Sequence, residues 1–151
     1  MSESLGAIAV AVDGSDASEA ALSEALRLAQ ERGAALDGIF VLDTGWADFI
    51  GNDWQSSRNS RQGFLDYVLE HQKQQAEAAR QQFADATEHL ADARFRIVSG
   101  DPLEALCEWM ERPEALMLVV GREVYQVSGR PSVKGLAAKL PKRVRQPVVV
   151  V

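Results

Sequence analysis

Two loops of the sequence carry residues that could contact a ligand. The first follows an apolar run and reads Asp13-Gly14-Ser15-Asp16, where Asp13 either caps the turn or contacts a ligand. The second lies before the last predicted helix. Three of its residues offer backbone N–H groups and two offer positive charge: Gly129, Ser132 and Gly135, with Arg130 and Lys134. A phosphate or another anion would be held there by N–H groups and charge.

Residues with catalytic chemistry are sparse in the chain. His71 and His89 occur in a stretch rich in Gln and Glu, without a partner in sequence for metal or nucleophile chemistry, and they are interpreted as solvated. The single cysteine, Cys107, falls on the apolar face of a predicted helix and is interpreted as core packing. No Gly-Lys-Ser/Thr follows a glycine at the spacing of a nucleotide-binding P-loop.

The elements that position these loops alternate between strands and helices. Apolar runs predict strands at 5–12, 35–42, 94–99, 115–120 and 148–151. Helical spacing of apolar residues predicts helices from Ser15 to Gly33, from Phe64 to Leu90, after Asp101-Pro102, and from Ser132 to about Arg143. This order predicts an α/β fold, a single-domain open parallel sheet of five strands with helices on both faces.

The segment between the second strand and the long helix shows no periodicity. It spans 43–63 and contains Trp46, Phe49, Ile50 and Trp54. Two interpretations stay open for these aromatic residues. They either anchor the loop on the long helix or form a cover or a partner-binding patch near the ligand crevice.

Composition narrows the class of protein. The chain has 151 residues and one cysteine, which fits one domain without disulfides, and its beginning lacks the pattern of a secretory signal, so we expect a cytoplasmic protein. No apolar run approaches the roughly 20 residues that cross a bilayer, so no membrane association is expected. The formal charge of -6 argues against nucleic acid as a partner. A basic cluster near the end is interpreted as a solvated helix face: Arg130, Lys134, Lys139, Lys142, Arg143 and Arg145.

Three motifs in this order resemble the universal stress protein family, over the whole span from Leu5 to Val151. They are the strand-turn-helix from Ala7 to Leu22, Gly100-Asp101-Pro102 at a helix start, and Leu118-Val119-Val120-Gly121 followed by a loop, a helix and a Pro-Val-Val-Val-Val ending. The resemblance implies one universal stress protein domain over 1–151, with an adenine-nucleotide α-hydrolase-like fold and strand order 3-2-1-4-5. Ligands of such sheets bind in the crevice where the strand order reverses. By position, Asp13 would meet the ribose or adenine, the Val41 backbone would meet the adenine edge, and Gly121 would open a phosphate loop.

The phosphate loop departs from the family pattern. Nucleotide-binding members resemble Gly, two residues, Gly, nine residues, Gly, then Ser or Thr, and these positions read Gly121, Val124, Lys134 and Gly135 here. Glycine lets the backbone approach phosphate closely, whereas valine and lysine hinder that approach. We therefore expect weak or absent ATP binding and no cofactor.

The resulting expectation is a non-enzymatic stress-response protein that acts by binding or interaction, through a protein partner that the sequence does not identify. One alternative is an ATP-binding universal stress protein that acts as a nucleotide-dependent regulator. Another is a nucleotide-dependent enzyme of the related superfamily, although its Ser-Gly-Gly loop and paired histidines are missing. A flavodoxin-like carrier or a response regulator shares the architecture, but their residue patterns are incomplete. A homodimer is expected through the uncharged edge strand from Val148 to Val151, since exposed edges invite pairing.

Overall fold

A computed structural model describes residues 6–51, 58–124 and 135–151. Five parallel strands form one sheet in the order β3-β2-β1-β4-β5. The strands are β1 (Ala7–Ala11), β2 (Ala35–Asp43), β3 (Ala93–Gly100), β4 (Ala115–Val120) and β5 (Val148–Val150). The predicted fold class and strand order are thus confirmed.

Helices connect the strands in alternation. They are α1 (Asp16–Arg32), α2 (Trp46–Ile50), α3 (Arg58–Ala86), α4 (Pro102–Trp109) and α5 (Leu136–Arg143). The helix α1 packs beside α3, and α4 packs beside α5. The chain runs from β1 outward to β3 and then returns to β4 and β5, so right-handed crossovers place the two helix pairs on opposite faces of the sheet.

Strong local signals define the helix ends. The Ser15 side chain accepts a hydrogen bond from the N–H of Ser18 at the start of α1, and Gly33 ends that helix with φ 65°. Asp101 caps α4 by accepting from the N–H of Glu104, with Pro102 as the first helical residue. The Glu104 carboxylate itself accepts two hydrogen bonds from Arg143 of α5, at 2.8 and 3.0 Å. These contacts join the two helices on that face.

Two predicted boundaries are wrong. The last helix begins at Leu136, with Gly135 as its N-cap in the left-handed region, and not at Ser132, which lies outside the described residues. The aperiodic stretch 43–63 contains α2 and the first turns of α3. The helix α2 forms because Trp46 and Phe49 lie on one side of it and Trp46 also contacts Phe64 of α3, with ring centroids 5.7 and 5.8 Å apart.

The core lies on both sides of the central strands. Every residue of β1 is buried, and β4 is buried except at Leu116. Among the described residues, no helix is long and apolar enough to cross a bilayer.

Candidate functional site

The sheet reverses direction between β1 and β4, and the predicted site residues lie near the carboxyl ends of these strands and of β2. The structure brings Asp13 and Val41 to one small cavity, together with Phe40, Asp43 and three side chains from neighbouring elements: Gln72, Gln75 and Pro102. Gly121 directly follows β4 and does not line this cavity.

The carboxylate of Asp13 organises the turn after β1. It is 6% exposed, and its Oδ1 accepts hydrogen bonds from the Ser15 N–H at 2.9 Å and from the Ser15 hydroxyl at 2.5 Å. Ser15 in turn caps α1. The sequence suggested either a capping role or a ligand contact, and the bonds to Ser15 belong to the capping role.

A glutamine of α3 holds the same turn from the other side. The Ser18 hydroxyl donates to Gln82 Oε1 at 2.5 Å, and Gln82 Nε2 donates to the Ser15 carbonyl at 3.0 Å. The start of α1 is therefore fastened to α3 through one carboxamide, which uses both its acceptor and its donor.

The backbone of β2 points into the crevice beyond the end of β1. The last contact between these strands is the hydrogen bond from the Val12 N–H to the Ile39 carbonyl, at 2.9 Å. Backbone groups of a strand point alternately to its two neighbours, so the N–H and C=O groups of Val41 and Asp43 point to the same side as those of Ile39. The family resemblance assigns the Val41 part of this edge to adenine.

A second glutamine of α3 occupies part of that edge. The Asp43 N–H donates to Gln72 Oε1 at 2.6 Å, and Gln72 Nε2 donates to the Asp43 carbonyl at 2.9 Å. Gln72 is 3% exposed. The polar side chain therefore lies inside the crevice and satisfies the backbone there.

The cavity that the described residues of the crevice enclose is small. The cavity beside Asp13, Val41 and Gln72 has a volume of about 10 Å³, whereas a site for one water molecule needs about 10–15 Å³ and ligand pockets span roughly 300–1,000 Å³. An adenine ring does not fit inside this cavity as its lining side chains stand.

The described residues that follow β4 pack closely against the rest of the protein. A Cβ atom on Gly121 would lie 2.4 Å from the carbonyl oxygen of Ala17, so this glycine is needed for the close approach of β4 to α1. Val124 is the residue that the family resemblance places at a glycine position of the phosphate loop. It is 1% exposed and belongs to the core, and its N–H donates to the Gly121 carbonyl at 3.2 Å.

The remaining predicted anion-binding residues are only partly covered by the structure. Gly129, Arg130, Ser132 and Lys134 lie outside the described residues. Gly135 is exposed with φ 74°, and its carbonyl accepts from two N–H groups of the first turn of α5.

Gln72 and Gln82 were not singled out from the sequence, although one signal pointed to Gln72. The apolar stripe of α3 runs through Val68 and Ala76, and Gln72 lies four residues from each. A glutamine within an apolar stripe faces the protein interior, where it requires hydrogen-bonding partners.

Neither the two histidines nor the cysteine lines the cavity in the crevice. No three His, Cys, Asp or Glu side chains lie close enough there to hold a metal ion. Burial raises the pKa of the Cys107 thiol, which disfavours the reactive thiolate. His71 stacks on Tyr67, and His89 lies exposed beside Glu88.

The aromatic segment before α3 rests on that helix. Trp46 contacts Phe64, and the Arg61 guanidinium of α3 donates to the carbonyls of Gly51 and Ala47 at 2.8 and 3.3 Å. These contacts match the anchoring interpretation. Trp54 lies outside the described residues.

Comparison with known proteins gives the fold and the family. The model of the universal stress protein family matches residues 5–151. No curated protein sequence matches the chain significantly. The solved structure of UspA from Lactobacillus plantarum has a TM-score of 0.72 and 23% identity, over 97% of each chain. A universal stress protein solved in complex with cAMP has a TM-score of 0.67 and 23% identity, over 97% of this chain and 96% of that one. The universal stress protein from Archaeoglobus fulgidus in complex with dAMP has a TM-score of 0.60 and 18% identity, over 96% of each.

These structural likenesses establish an adenine-nucleotide α-hydrolase-like fold, in agreement with the sheet order. A shared fold alone does not show family membership. The family model matches the residue pattern of nearly the whole chain, which does. The chain therefore belongs to the universal stress protein family.

Proposed function

We propose that this chain is a non-enzymatic stress-response protein of the cytoplasm, which acts by binding a protein partner and holds no nucleotide tightly. The observation that carries this proposal is the crevice at the sheet reversal. Its cavity measures about 10 Å³, and a polar side chain from α3 fills the adjoining space.

A second candidate function is nucleotide-dependent regulation. Two structural neighbours are described as complexes with cAMP and dAMP, which favours an adenine nucleotide as ligand for some proteins of this fold. In the present chain, the adenine side of the crevice is filled by Gln72, and the core valine Val124 replaces a glycine of the phosphate loop. The residues present do not fit the nucleotide, so we favour the first function.

The non-enzymatic part of the proposal rests on the side chains around the crevice. Asp13 is committed to hydrogen bonds with Ser15. Of the other polar side chains there, Asp43 and Gln72 bond to backbone groups. A general base or nucleophile needs an accessible site beside it in which a substrate reacts, and these residues leave no such space.

Calorimetry with Mg-ATP, cAMP and AMP tests the nucleotide question directly. We expect no binding heat at ligand concentrations up to about 1 mM, which corresponds to less than about 4 kcal/mol of binding. A micromolar dissociation constant would require about 8 kcal/mol and would overturn the proposal. A parallel phosphate-release assay should give no enzymatic rate. A rate that disappears in Asp13→Ala, with the fold retained, would assign catalysis to this crevice.

We further propose a homodimer through β5. This strand is at one end of the sheet order, so one side of its backbone is unpaired within the described sheet. Val150 and Val151 are 36% and 39% exposed, and no charge interrupts the strand. Antiparallel pairing of two such strands about a two-fold axis satisfies both edges and buries these valines.

A further inference from the structure

Two solved proteins of this fold are complexes with adenine nucleotides, whereas the cavity in this crevice is small. One residue, Gln72, accounts for this difference. We propose that Gln72 is a built-in occupant of the crevice beside Val41, whose carboxamide takes the backbone hydrogen bonds of Asp43 at the end of β2 and thereby makes the crevice reject nucleobases. The inference rests on the proposed function, because it explains why a universal stress protein fold would hold no nucleotide.

The chemistry of the contact supports this assignment. A carboxamide presents an acceptor oxygen and a donor NH₂ side by side. The edge of adenine carries the same pair, an acceptor ring nitrogen beside a donor amino group. At Asp43, the Gln72 oxygen accepts from the N–H at 2.6 Å and its nitrogen donates to the carbonyl at 2.9 Å. One side chain thus forms the bidentate contact that a base edge would form with the backbone of a strand.

The position of Gln72 favours the internal contact over an external ligand. The residue is 3% exposed and belongs to α3, a helix of 29 residues that packs on β2. A group already attached to the protein loses no overall translational freedom when it binds, whereas a free base does. A competing base must also break both hydrogen bonds and displace the side chain.

The fixing of α3 keeps this occupant in place. Ten residues further along the helix, Gln82 bonds to Ser15 and Ser18 at the start of α1. Near the same point, Gly38 of β2 leaves room for the Phe83 ring, because a Cβ there would lie 2.4 Å from that ring. With these contacts holding the helix, Gln72 cannot leave the crevice by a shift of α3 as a whole.

The experiment measures adenosine binding by ligand-observed NMR and calorimetry for the wild type and three variants. Gln72→Ala removes the occupant, and Gln72→Ala/Gln75→Ala also removes the second glutamine that lines the cavity. Gln81→Ala is the matched control, because Gln81 is exposed on the same helix and its side chain donates to Asp85 rather than to the crevice. We expect adenosine to bind one or both Gln72 variants at least tenfold more tightly than the wild type, with no change in the control.

Hydrogen exchange provides a second readout, whose first part needs only the wild-type protein without ligand. The Asp43 amide should be protected in the wild type, exchange faster in Gln72→Ala, and regain protection when adenosine is added. Fast exchange at Asp43 in the wild type would refute the inference, since the contact would then be absent in solution. Folded Gln72 variants that bind adenosine no more tightly than the wild type would also refute the inference about Gln72. The proposed function would be unaffected by that result. Micromolar binding by the wild type would instead refute the proposed function.

Discussion

Replacement of Val124 tests whether the altered phosphate loop is part of the core. The side chain is 1% exposed and packs within the main cluster of buried residues. Val124→Ala removes two buried carbon atoms at about 0.8 kcal/mol each, and the cavity left behind adds to this cost. We therefore expect a loss of about 2 kcal/mol in the free energy of unfolding. For a chain of this size, that loss lowers Tm by about 4–8 °C.

Replacement of Val124 by glycine should lower the free energy of unfolding further than replacement by alanine. Val124→Gly removes a further carbon atom and increases the freedom of the unfolded backbone, for a total of about 3 kcal/mol. It should not improve Mg-ATP binding by itself, because Gln72 still fills the adenine side. Restoring one motif position thus lowers stability without restoring the ligand.

Urea and thermal unfolding followed by circular dichroism measure these losses, with Mg-ATP calorimetry on the same samples. Ile97→Val is the matched control, since that isoleucine is 50% exposed on β3, away from the proposed dimer strand, and should change stability by less than about 0.5 kcal/mol. If Val124→Gly kept the wild-type Tm and gained micromolar ATP affinity, the valine would be a simple block to the ligand and the packing argument would be wrong.

Three further substitutions test other parts of the structure. Burial raises the pKa of Asp37, so above about pH 4 the folded chain binds more protons at this residue than the unfolded chain. The free energy of unfolding therefore falls as the pH rises. Asp37→Asn should flatten that fall in urea titrations between about pH 4 and 7. Gly121→Ala should lower Tm by several degrees, because the new Cβ meets the Ala17 carbonyl at 2.4 Å, and an unchanged Tm in a thermal scan would mean that the backbone yields at little cost. The double change Val149→Lys and Val151→Lys should convert a dimer to a monomer in light scattering, and a dimer that persists would place the interface elsewhere.

Much of the fold was predictable because its signals are local. The cap at Asp101 and the proline after it define the start of α4 within a few residues of sequence. Gly33, with φ 65°, ends α1 where the apolar spacing ends. Parallel strands buried on both faces appear as uninterrupted apolar runs, as in β4, so alternation of strands and helices predicts the layered sheet.

The features that the sequence did not predict depend on distant contacts. The helix α2 has five residues, too short to form alone, and is held by Phe64 and Arg61 of α3. The position of Val124 suggested a hindered phosphate loop, but its burial in the core depends on elements far away in the chain. Gln72 lies 29 residues from Asp43, and a local pattern carries no information on such a pairing.

The hydrogen bonds that close the crevice determine how strongly a competing ligand is excluded. Each hydrogen bond at Gln72 contributes about 1 kcal/mol net, so breaking both would weaken a competing ligand by about 2 kcal/mol, or roughly 30-fold. That penalty alone would leave a micromolar ligand still detectable. Stronger exclusion requires that the Gln72 side chain cannot move aside for the ligand. The cavity of about 10 Å³ is too small to take that side chain unless α3 moves. Because Gln82 ties α3 to the first turn of α1, such movement would also cost the contacts that cap that helix. The two glutamines therefore act together. Gln72 occupies the crevice, and Gln82 holds α3 in the position that keeps it there.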